Sequence, residues 1–327
     1  MRGHYIEGRR WLERTLGMHL GGPTVQQAVG ASAAGRLAWL QADYPAARRH
    51  LEVSLEAFNA MGERSSAVTV LGSLGQLATA EGEFARGRQL CERAVAEARA
   101  LGDKRLLAGQ LRACEIVLGS TADYAAASAL DIEALELWRE LGDRRGIAQA
   151  LMGLGMVAAH TGDGLEARAR LLESVDLSRE LGESWLTCGA LVGLGHAERA
   201  LGNPAAAHAY YVQSLRHDHE SKGNWNIHLL EAIAALAAAE GAAITAAQLL
   251  GASEAVRDAR RFPMLPCLRV EHDRAVAAAR MMLTPESFSA AWAKGRTMAH
   301  DDVFDLAVRR DEWTHTSSMV DLGDTRS

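Results

Sequence analysis

The chain has 327 residues and a formal net charge of −6. This balance gives no electrostatic reason to expect direct nucleic-acid binding, since domains that bind nucleic acid usually carry a basic face or stripe. Hydrophobic residues make up 48% of the chain but aromatic residues only 5%, which favours closely packed helices over strands rich in Val, Ile and Tyr. Six prolines in the whole chain leave room for long uninterrupted helices.

Residues 1–20 have the pattern of the second helix of a helical pair. The start of the segment is polar and charged, with Arg2, His4, Glu7, Arg9 and Arg10, so it lacks the apolar centre of a signal peptide. Its apolar face has no first helix to cover it, whereas repeat arrays normally end in a polar capping element. We therefore predict a partial repeat, consisting of the second helix only, over residues 1–20.

A forty-residue period dominates residues 21–268, which we predict to form one array of helical repeats. One series of turns carries a Gly followed by an acidic residue or Asn, at Gly62, Gly102, Gly142, Gly182 and, one residue late, Gly223. A second series falls between these turns, at Ala42, Gly82, Ala122, Gly162 and Gly202. Two interleaved series with one period indicate two helices and two turns in each repeat.

The residue types in each turn have recognised physical roles. A Gly at the end of a helix supplies the left-handed residue that closes its last turn, and the Asp, Glu or Asn that follows can cap the next helix. Small residues also recur inside the helices, which predicts close contact within each helix pair. The first-helix positions are Gly35, Gly75, Gly155 and Gly195, with Glu115 as the exception; the second-helix positions are Ala47, Gly87, Ala127, Ala167 and Ala207.

The C-terminal part departs from the repeat. We predict a helical cap over residues 269–308 and a short, polar, disordered tail over residues 309–327. The predicted fold is thus all-α: a right-handed superhelical solenoid of about six antiparallel helix pairs with a forty-residue period.

The repeat resembles the tetratricopeptide consensus in the pattern Leu151-x-x-Leu154-Gly155, Gly162-Asp163, Ala167, although that consensus has a period of roughly thirty-four residues. The longer period resembles the C-terminal sensor region of bacterial LuxR-type and nucleotide-switch ATPase regulators. The opening segment from His4 to Arg14 and the closing segments 247–254 and 288–295 resemble the ends of such arrays.

The resemblance implies a regulator, but two of its parts are missing from this sequence. It contains no G-x-x-x-x-G-K-[ST] phosphate loop and no DNA-reading module after Val308. We therefore expect the chain to be the sensor array of a larger regulator, cut loose or encoded separately.

The resemblance also implies that the first helix of each pair lines a concave groove. Aligning the repeats on their turns predicts that the following residues face the groove: Arg36, Trp39, Gln76, Arg112, Gln149, Met156, His160, His196, Arg199, His228 and Glu231. Arg can bind a carboxylate through two hydrogen bonds and Met adapts to irregular apolar groups. The alternative at any one position is an ordinary solvent-facing or inter-helix residue.

The sequence offers no catalytic motif, so we expect no enzyme activity and no cofactor. His217 to Glu220 is the densest histidine cluster, but its two histidines lie on different sides of a helix, and metal binding is not expected. The four cysteines, Cys91, Cys114, Cys188 and Cys267, show no zinc or redox spacing. No run approaches the ~18 apolar residues of a membrane span, so a cytoplasmic protein without membrane contact is expected.

The predicted function is a non-catalytic scaffold that binds a protein, a peptide or a small inducer in its groove and serves as the sensor of a signal-transduction or transcription regulator. The alternative is a stand-alone protein-assembly scaffold with no regulatory role. A third class, an enzyme, would need titratable groups that converge from different repeats. The sequence makes no prediction about the oligomeric state.

Overall fold

The computed structural model describes residues 2–17, 24–220 and 227–316, and over these ranges it contains helices and no strand. The repeat region comprises α1 (Arg2–Gly17), α2 (Val25–Leu40), α3 (Tyr44–Met61), α4 (Arg64–Ala80), α5 (Phe84–Leu101), α6 (Lys104–Ser120), α7 (Tyr124–Glu140), α8 (Arg144–Thr161), α9 (Gly164–Glu180), α10 (Ser184–Ala200), α11 (Pro204–Glu220), α12 (Ile227–Ala239) and α13 (Ala243–Arg260). The C-terminal helices are α14 (Pro266–Met282), α15 (Pro285–Thr297), α16 (His300–Val308) and α17 (Arg310–Thr316). The prediction of an all-α helical repeat solenoid is confirmed.

The turns between helices lie at the positions predicted from the repeated glycines and alanines. Gly62 at the end of α3 has a φ of 74°, and Gly82 after α4 has a φ of 85°, the left-handed conformation that glycine adopts at low cost. Ala42 and Ala122 occupy the corresponding place in two other turns, with φ values of 58° and 63°. Both alanines therefore adopt the left-handed conformation, which is unfavourable for a residue that has a Cβ atom.

The caps at the helix N-termini differ between Asp and Glu. Asp43 and Asp103 each accept a hydrogen bond from the backbone N–H three residues later, at 3.2 Å and 3.0 Å. Glu63, Glu83 and Glu183 occupy equivalent positions, and no side-chain cap hydrogen bond forms there. The prediction that either acid caps the next helix is therefore wrong for these glutamates.

Small residues bring paired helices into close contact, as predicted from their period. A Cβ atom added to Gly35 would lie 2.8 Å from Leu51 Cγ and 3.1 Å from the carbonyl oxygen of Ala47. One added to Gly75 would lie 3.0 Å from the carbonyl oxygen of Gly87. Contacts this short leave no room for a side chain, because protein interiors are already packed to crystal-like density.

The described chain divides into two compact units. Unit 1 is Met1–Val157 with Arg261–Pro263. Within it, helices that follow one another in sequence pack together from α1 to α7, and the first helices α4 and α6 of successive pairs also touch. The core between α2 and α5 is built from Ala, Leu and Val with Phe58, and Phe262 packs against the same cluster.

Unit 2 is Ala158–Arg260 with Met264–Ser327. The packing of neighbours continues from α9 to α13, after which α14 lies against α12 and α13, and α15 lies against α13. Its core joins Tyr211, Leu230 and Ile233 to Phe288 and Trp313 of the C-terminal helices. The predicted cap over residues 269–308 corresponds to most of α14 and all of α15 and α16.

The C-terminal tail differs from the prediction over residues 310–316, where α17 replaces the expected disorder. The Trp313 side chain is 1% exposed, and its Nε1 donates a hydrogen bond to the Leu306 carbonyl at 3.0 Å. The Trp313 ring also meets the His208 ring edge-on at 4.9 Å. Burial of one large aromatic side chain thus orders a segment whose other residues are polar.

Some predictions lie outside the described residues. These are the turn at Gly223, the start of the array at residues 21–23, and the tail from residue 317 onward. Among the helices that are described, none is both long enough and apolar enough to cross a membrane.

Candidate functional site

The residues predicted to line the groove lie on the first helices of the pairs, and they fall in both units. Unit 1 contains Arg36, Trp39, Gln76, Arg112, Gln149 and Met156; unit 2 contains His160, His196, Arg199, His228 and Glu231. Arg36 is exposed, Glu231 is buried and the others are half-buried. The five residues of unit 2 interact with a wider set of polar side chains. We call the whole set the polar cluster of unit 2: His160, His196, Arg199, Tyr211, His228, Glu231, Arg257, Glu271 and His272.

The first part of the polar cluster is a contact between two histidines and a tyrosine. The His160 and His196 rings, from α8 and α10, have centroids 5.4 Å apart. His196 Nδ1 lies 3.0 Å from the hydroxyl of Tyr211 on α11, a side chain with no exposed surface. Burial lowers the pKa of His196 well below its ordinary value, and the nearby His160 and Arg199 act in the same direction. His196 is therefore neutral at pH 7.

Arg199 on α10 is ion-paired with Glu271 on α14. Burial lowers the Arg199 pKa, but interactions with Tyr211 and Glu271 outweigh burial and leave the pKa raised. The two side chains keep 29% and 30% of their surface exposed. This pair is thus the part of the polar cluster that solvent or a ligand can reach.

Glu231 on α12 is the buried centre of the cluster. It is ion-paired with Arg257 on α13, lies 3.6 Å from Nδ1 of His272, and accepts a hydrogen bond from the Ser253 hydroxyl at 3.3 Å. Burial raises the pKa of Glu231, but the interactions with His272 and Arg257 outweigh it, so its pKa lies below the ordinary value. Glu231 is therefore ionised at neutral pH and held in a fixed position.

Four members of the polar cluster were not among the residues predicted from the sequence: Tyr211, Arg257, Glu271 and His272. Tyr211 and Arg257 come from second helices, and the other two come from α14, which was predicted only as a cap. Arg199 and Glu271 are 72 residues apart in the chain. No periodic pattern links positions so far apart, so only the packing of α14 on α12 brings them together.

Arg112 in unit 1 has surroundings that favour a structural role over the predicted ligand contact. Its guanidinium is ion-paired with Glu115, one turn along α6, and 13% of its side chain is exposed. Burial lowers the pKa of Arg112, and the charge of Asp131 on α7 opposes that shift. Asp131 has no exposed surface, and a Cβ atom added to Gly153 of α8 would collide with its carboxylate. Arg112 is thus part of a buried charge network between helices.

Burial shifts the pKa of further titratable side chains in and beside the polar cluster. Burial raises the pKa of the Cys267 thiol on α14 to about 11, and the charge of Glu231 acts in the same direction, so the thiol is protonated at neutral pH. His196 and His228 both have pKa values lowered by burial. Within the described ranges, no group of three His, Cys, Asp or Glu side chains is arranged to hold a metal ion.

A separate cleft of about 450 Å³ lies between α9, α10 and α11 of unit 2. Arg179, Arg216 and His217 line it together with the hydroxyl side chains of Ser184 and Thr187. His217 belongs to the histidine cluster considered above as a metal site. Its two arginine neighbours make a cation an unfavourable occupant, because like charges repel at this range.

Part of the chain is similar to a known repeat family. Residues 146–219 match the tetratricopeptide repeat family. No protein in a curated collection matches the chain.

Several solved structures have a similar fold. A Rap protein complexed with competence and sporulation factor is 13% identical, with a TM-score of 0.60, over 93% of this chain and 92% of that one. BtubC from P. vanneervenii is 15% identical, with a TM-score of 0.52, over 68% of this chain and 91% of that one.

A signal transduction ATPase with numerous domains from Pyrococcus horikoshii, described as having a tetratricopeptide repeat sensor, is 12% identical with a TM-score of 0.55. The match covers 95% of this chain and 46% of that one. At these identities the likeness establishes the fold alone.

Proposed function

We propose that the chain is a non-catalytic, tetratricopeptide-like scaffold that binds a peptide segment of a partner protein at the polar cluster of unit 2. The repeat-family match at residues 146–219 and the fold shared with a Rap protein and with a repeat sensor support a protein-interaction scaffold. The observation that carries the choice of site is the convergence of Arg199, Glu271, His160 and His196, from three different helices, at a part-exposed surface.

The cluster suits a peptide because its exposed groups offer both donors and acceptors in fixed positions. Arg199 can donate to a peptide carbonyl or carboxylate, and Glu271 can accept from a peptide N–H. His160 and His196 add ring nitrogens that also form hydrogen bonds. The buried ion pair of Glu231 with Arg257 links α12 to α13, and a surface fixed in this way binds with a lower entropy cost because it is pre-organised.

We further propose that peptide or inducer binding regulates a partner, as in the sensor region of a larger bacterial regulator of the LuxR or nucleotide-switch class. The Pyrococcus protein, an ATPase with a repeat sensor, supports this part of the proposal through its fold alone. The alternative is a stand-alone assembly scaffold. The two differ in one observable: a sensor changes the hydrogen exchange of its helices on binding, far beyond the residues that the ligand contacts, whereas a passive scaffold does not.

A peptide-selection experiment tests the proposed site. A displayed random-peptide library is selected on the full chain, and the selected peptides are then synthesised. Their affinities are measured by fluorescence anisotropy for the wild type, for Arg199→Ala and for His196→Ala. The matched control is Arg170→Ala, which also removes one arginine paired with a glutamate, but on α9 and away from the cluster.

We expect both cluster variants to bind about tenfold more weakly or worse, a loss of about 1.4 kcal/mol, and the control to bind within twofold of the wild type. Selected peptides that bind Arg199→Ala as tightly as the wild type would place the binding surface elsewhere. Failure to select any peptide would count against a peptide ligand and favour a folded partner or a small inducer.

A further inference from the structure

Two of the four cysteines meet in the core of unit 1, although their sequence positions gave no redox spacing. The sulfur atoms of Cys91 on α5 and Cys114 on α6 are 3.0 Å apart. Their residues are 0% and 1% exposed, and both are free thiols. Disulfide formation would shorten the distance between the sulfurs by about 1 Å, to the ~2.05 Å of an S–S bond.

The surrounding packing holds the two thiols in this position. α5 and α6 pack directly on each other, and α5 also packs on α4. A Cβ atom added to Gly75 of α4 would lie 3.2 Å from Cys91 Cβ, so α4 supports Cys91 from the side of the preceding helix. Cys91 Sγ also lies 3.3 Å from the Arg88 carbonyl oxygen. The pair therefore belongs to a rigid helix contact and needs little rearrangement to form a bond.

The two thiols are electrostatically unequal. Hydrogen bonding from Cys114 stabilises the thiolate of Cys91 and lowers the Cys91 pKa, against the effects of burial and of the Glu92 charge. The same contact, with burial and the charges of Cys91 and Glu92, raises the pKa of Cys114, and Arg88 opposes this only weakly. Cys91 is thus the thiol that ionises more readily and is the better nucleophile of the pair.

We propose that Cys91 and Cys114 form a modification site at which a peroxide generates an intramolecular disulfide between α5 and α6. The Cys91 thiolate attacks one oxygen of hydrogen peroxide, the O–O bond breaks, and after proton transfer the products are a Cys91 sulfenic acid and water. The Cys114 sulfur then attacks the sulfenic sulfur, the S–OH bond breaks, and a second water leaves with the Cys114 proton. Two thiols lose two electrons and two protons, and one peroxide becomes two waters.

The bond would cross-link the second helix of one pair to the first helix of the next. It closes a loop between residues 91 and 114, which restricts the unfolded chain and so favours the folded state. This inference concerns unit 1 and is independent of the peptide site proposed for unit 2.

The test uses the full chain with four matched variants. The reduced chain is treated with hydrogen peroxide, quenched, unfolded, and alkylated, and its free thiols are counted by intact mass. Peptide mapping without a reductant then identifies any linked pair. Cys91→Ala and Cys114→Ala each remove one partner, whereas Cys188→Ala and Cys267→Ala remove the other two cysteines, which lie outside the pair.

We expect wild type, Cys188→Ala and Cys267→Ala to lose two alkylatable thiols and to yield a linked Cys91–Cys114 peptide that dithiothreitol reverses. We expect neither Cys91→Ala nor Cys114→Ala to form that peptide. The oxidised wild type should also melt at a higher temperature than the reduced form. Four intact thiols after treatment, oxidation of Cys91 to sulfinic acid without linkage, or a disulfide involving Cys188 or Cys267 would each overturn the proposal.

Discussion

Units 1 and 2 are built from the same kind of repeat, yet each contains a buried carboxylate with very different surroundings. Asp131 in unit 1 has no exposed surface, and no described residue forms a hydrogen bond to either of its carboxylate oxygens. Glu231 in unit 2 is almost as buried, but its Oε1 atom is ion-paired with Arg257, accepts a hydrogen bond from Ser253 and lies 3.6 Å from His272 Nδ1. Only its Oε2 atom has no hydrogen-bond partner among the described residues. Burial alone therefore does not determine the charge state of a carboxyl group, since its pKa also depends on the hydrogen-bond donors and cations around it.

The consequence is a difference in the direction of the two pKa shifts. Burial raises the pKa of Asp131 to about 7, and the charge of Arg112 only partly opposes this. The pKa of Glu231 lies below its ordinary value despite burial. Unit 1 therefore carries a carboxyl group that keeps its proton up to a pH of about 7, whereas unit 2 carries one that is ionised at neutral pH.

The largest effect is expected from removing the arginine of each network in turn. Arg112→Ala leaves Glu115 and Asp131 as buried acids without a cation, and we expect it to reduce the free energy of unfolding by about 3–5 kcal/mol. Arg199→Ala breaks a part-exposed pair, and we expect a loss of about 1 kcal/mol or less. Urea unfolding at pH 7 measures both. Equal losses would mean that Arg112 is not buried in an essential network.

The next effect concerns the pH dependence contributed by Asp131. Its folded pKa of about 7 exceeds the ordinary value of 3.8, so between these pH values the folded state binds more protons than the unfolded state. Stability is therefore lost as pH rises from about 4 to 7, by up to about 4 kcal/mol for this group. Asp131→Asn removes that loss. Urea unfolding between pH 4.5 and 8 should show a variant that gains on the wild type as pH rises, and a constant difference would contradict the shift.

The histidines of unit 2 should give the free energy of unfolding the opposite pH dependence. The pKa of His196 is lowered by burial, with further contributions from His160, Arg199 and His228. Below the ordinary value of 6.5 the unfolded state binds a proton that the folded state does not, so stability is lost as pH falls below 6.5.

The variant His196→Gln keeps a polar side chain that does not titrate. We expect it to lie within about 1 kcal/mol of the wild type at pH 8 and to gain on the wild type at pH 5, as measured by urea unfolding. A variant that loses stability in parallel with the wild type would show that His196 is already protonated in the folded state.

The smallest effect tests a feature that the two units share. Glu63 in unit 1 and Glu183 in unit 2 stand at helix N-termini without a side-chain cap. Aspartate has the length that Asp43 and Asp103 use to reach the backbone, so Glu63→Asp and Glu183→Asp should each stabilise the chain by about 0.5–1 kcal/mol. The difference is measurable by thermal unfolding, and a loss in either variant would indicate that the glutamate has another role.

The repeat architecture could be predicted from the sequence because it depends on local rules. A glycine that closes a helix and a small residue that allows close packing recur every forty residues, and Gly62, Gly82 and Gly75 perform these roles in the structure. The cap at Glu63 failed because the residue type was judged by its charge, whereas capping also depends on the length of the side chain.

The candidate site could be predicted only in part, because its partners come from distant parts of the chain. The first-helix positions His196, Arg199 and Glu231 were predicted from the repeat phase. Glu271 and His272 were not, since they lie outside the period and reach the cluster only through the packing of α14. The pairing of Cys91 with Cys114 was missed for a different reason, because it depends on how two consecutive helices are rotated about their own axes.

The burial of Trp313 bears on how long the protein persists in a cell. This side chain packs against His208 on α11 and donates a hydrogen bond to the Leu306 carbonyl. The last described helix of the chain therefore contributes a buried side chain to the core of unit 2. A shortened chain that ends before Trp313 would expose Ala307 and His208 and would populate unfolded forms more often. Proteases act on those forms, so the shortened protein would be degraded faster and reach a lower abundance.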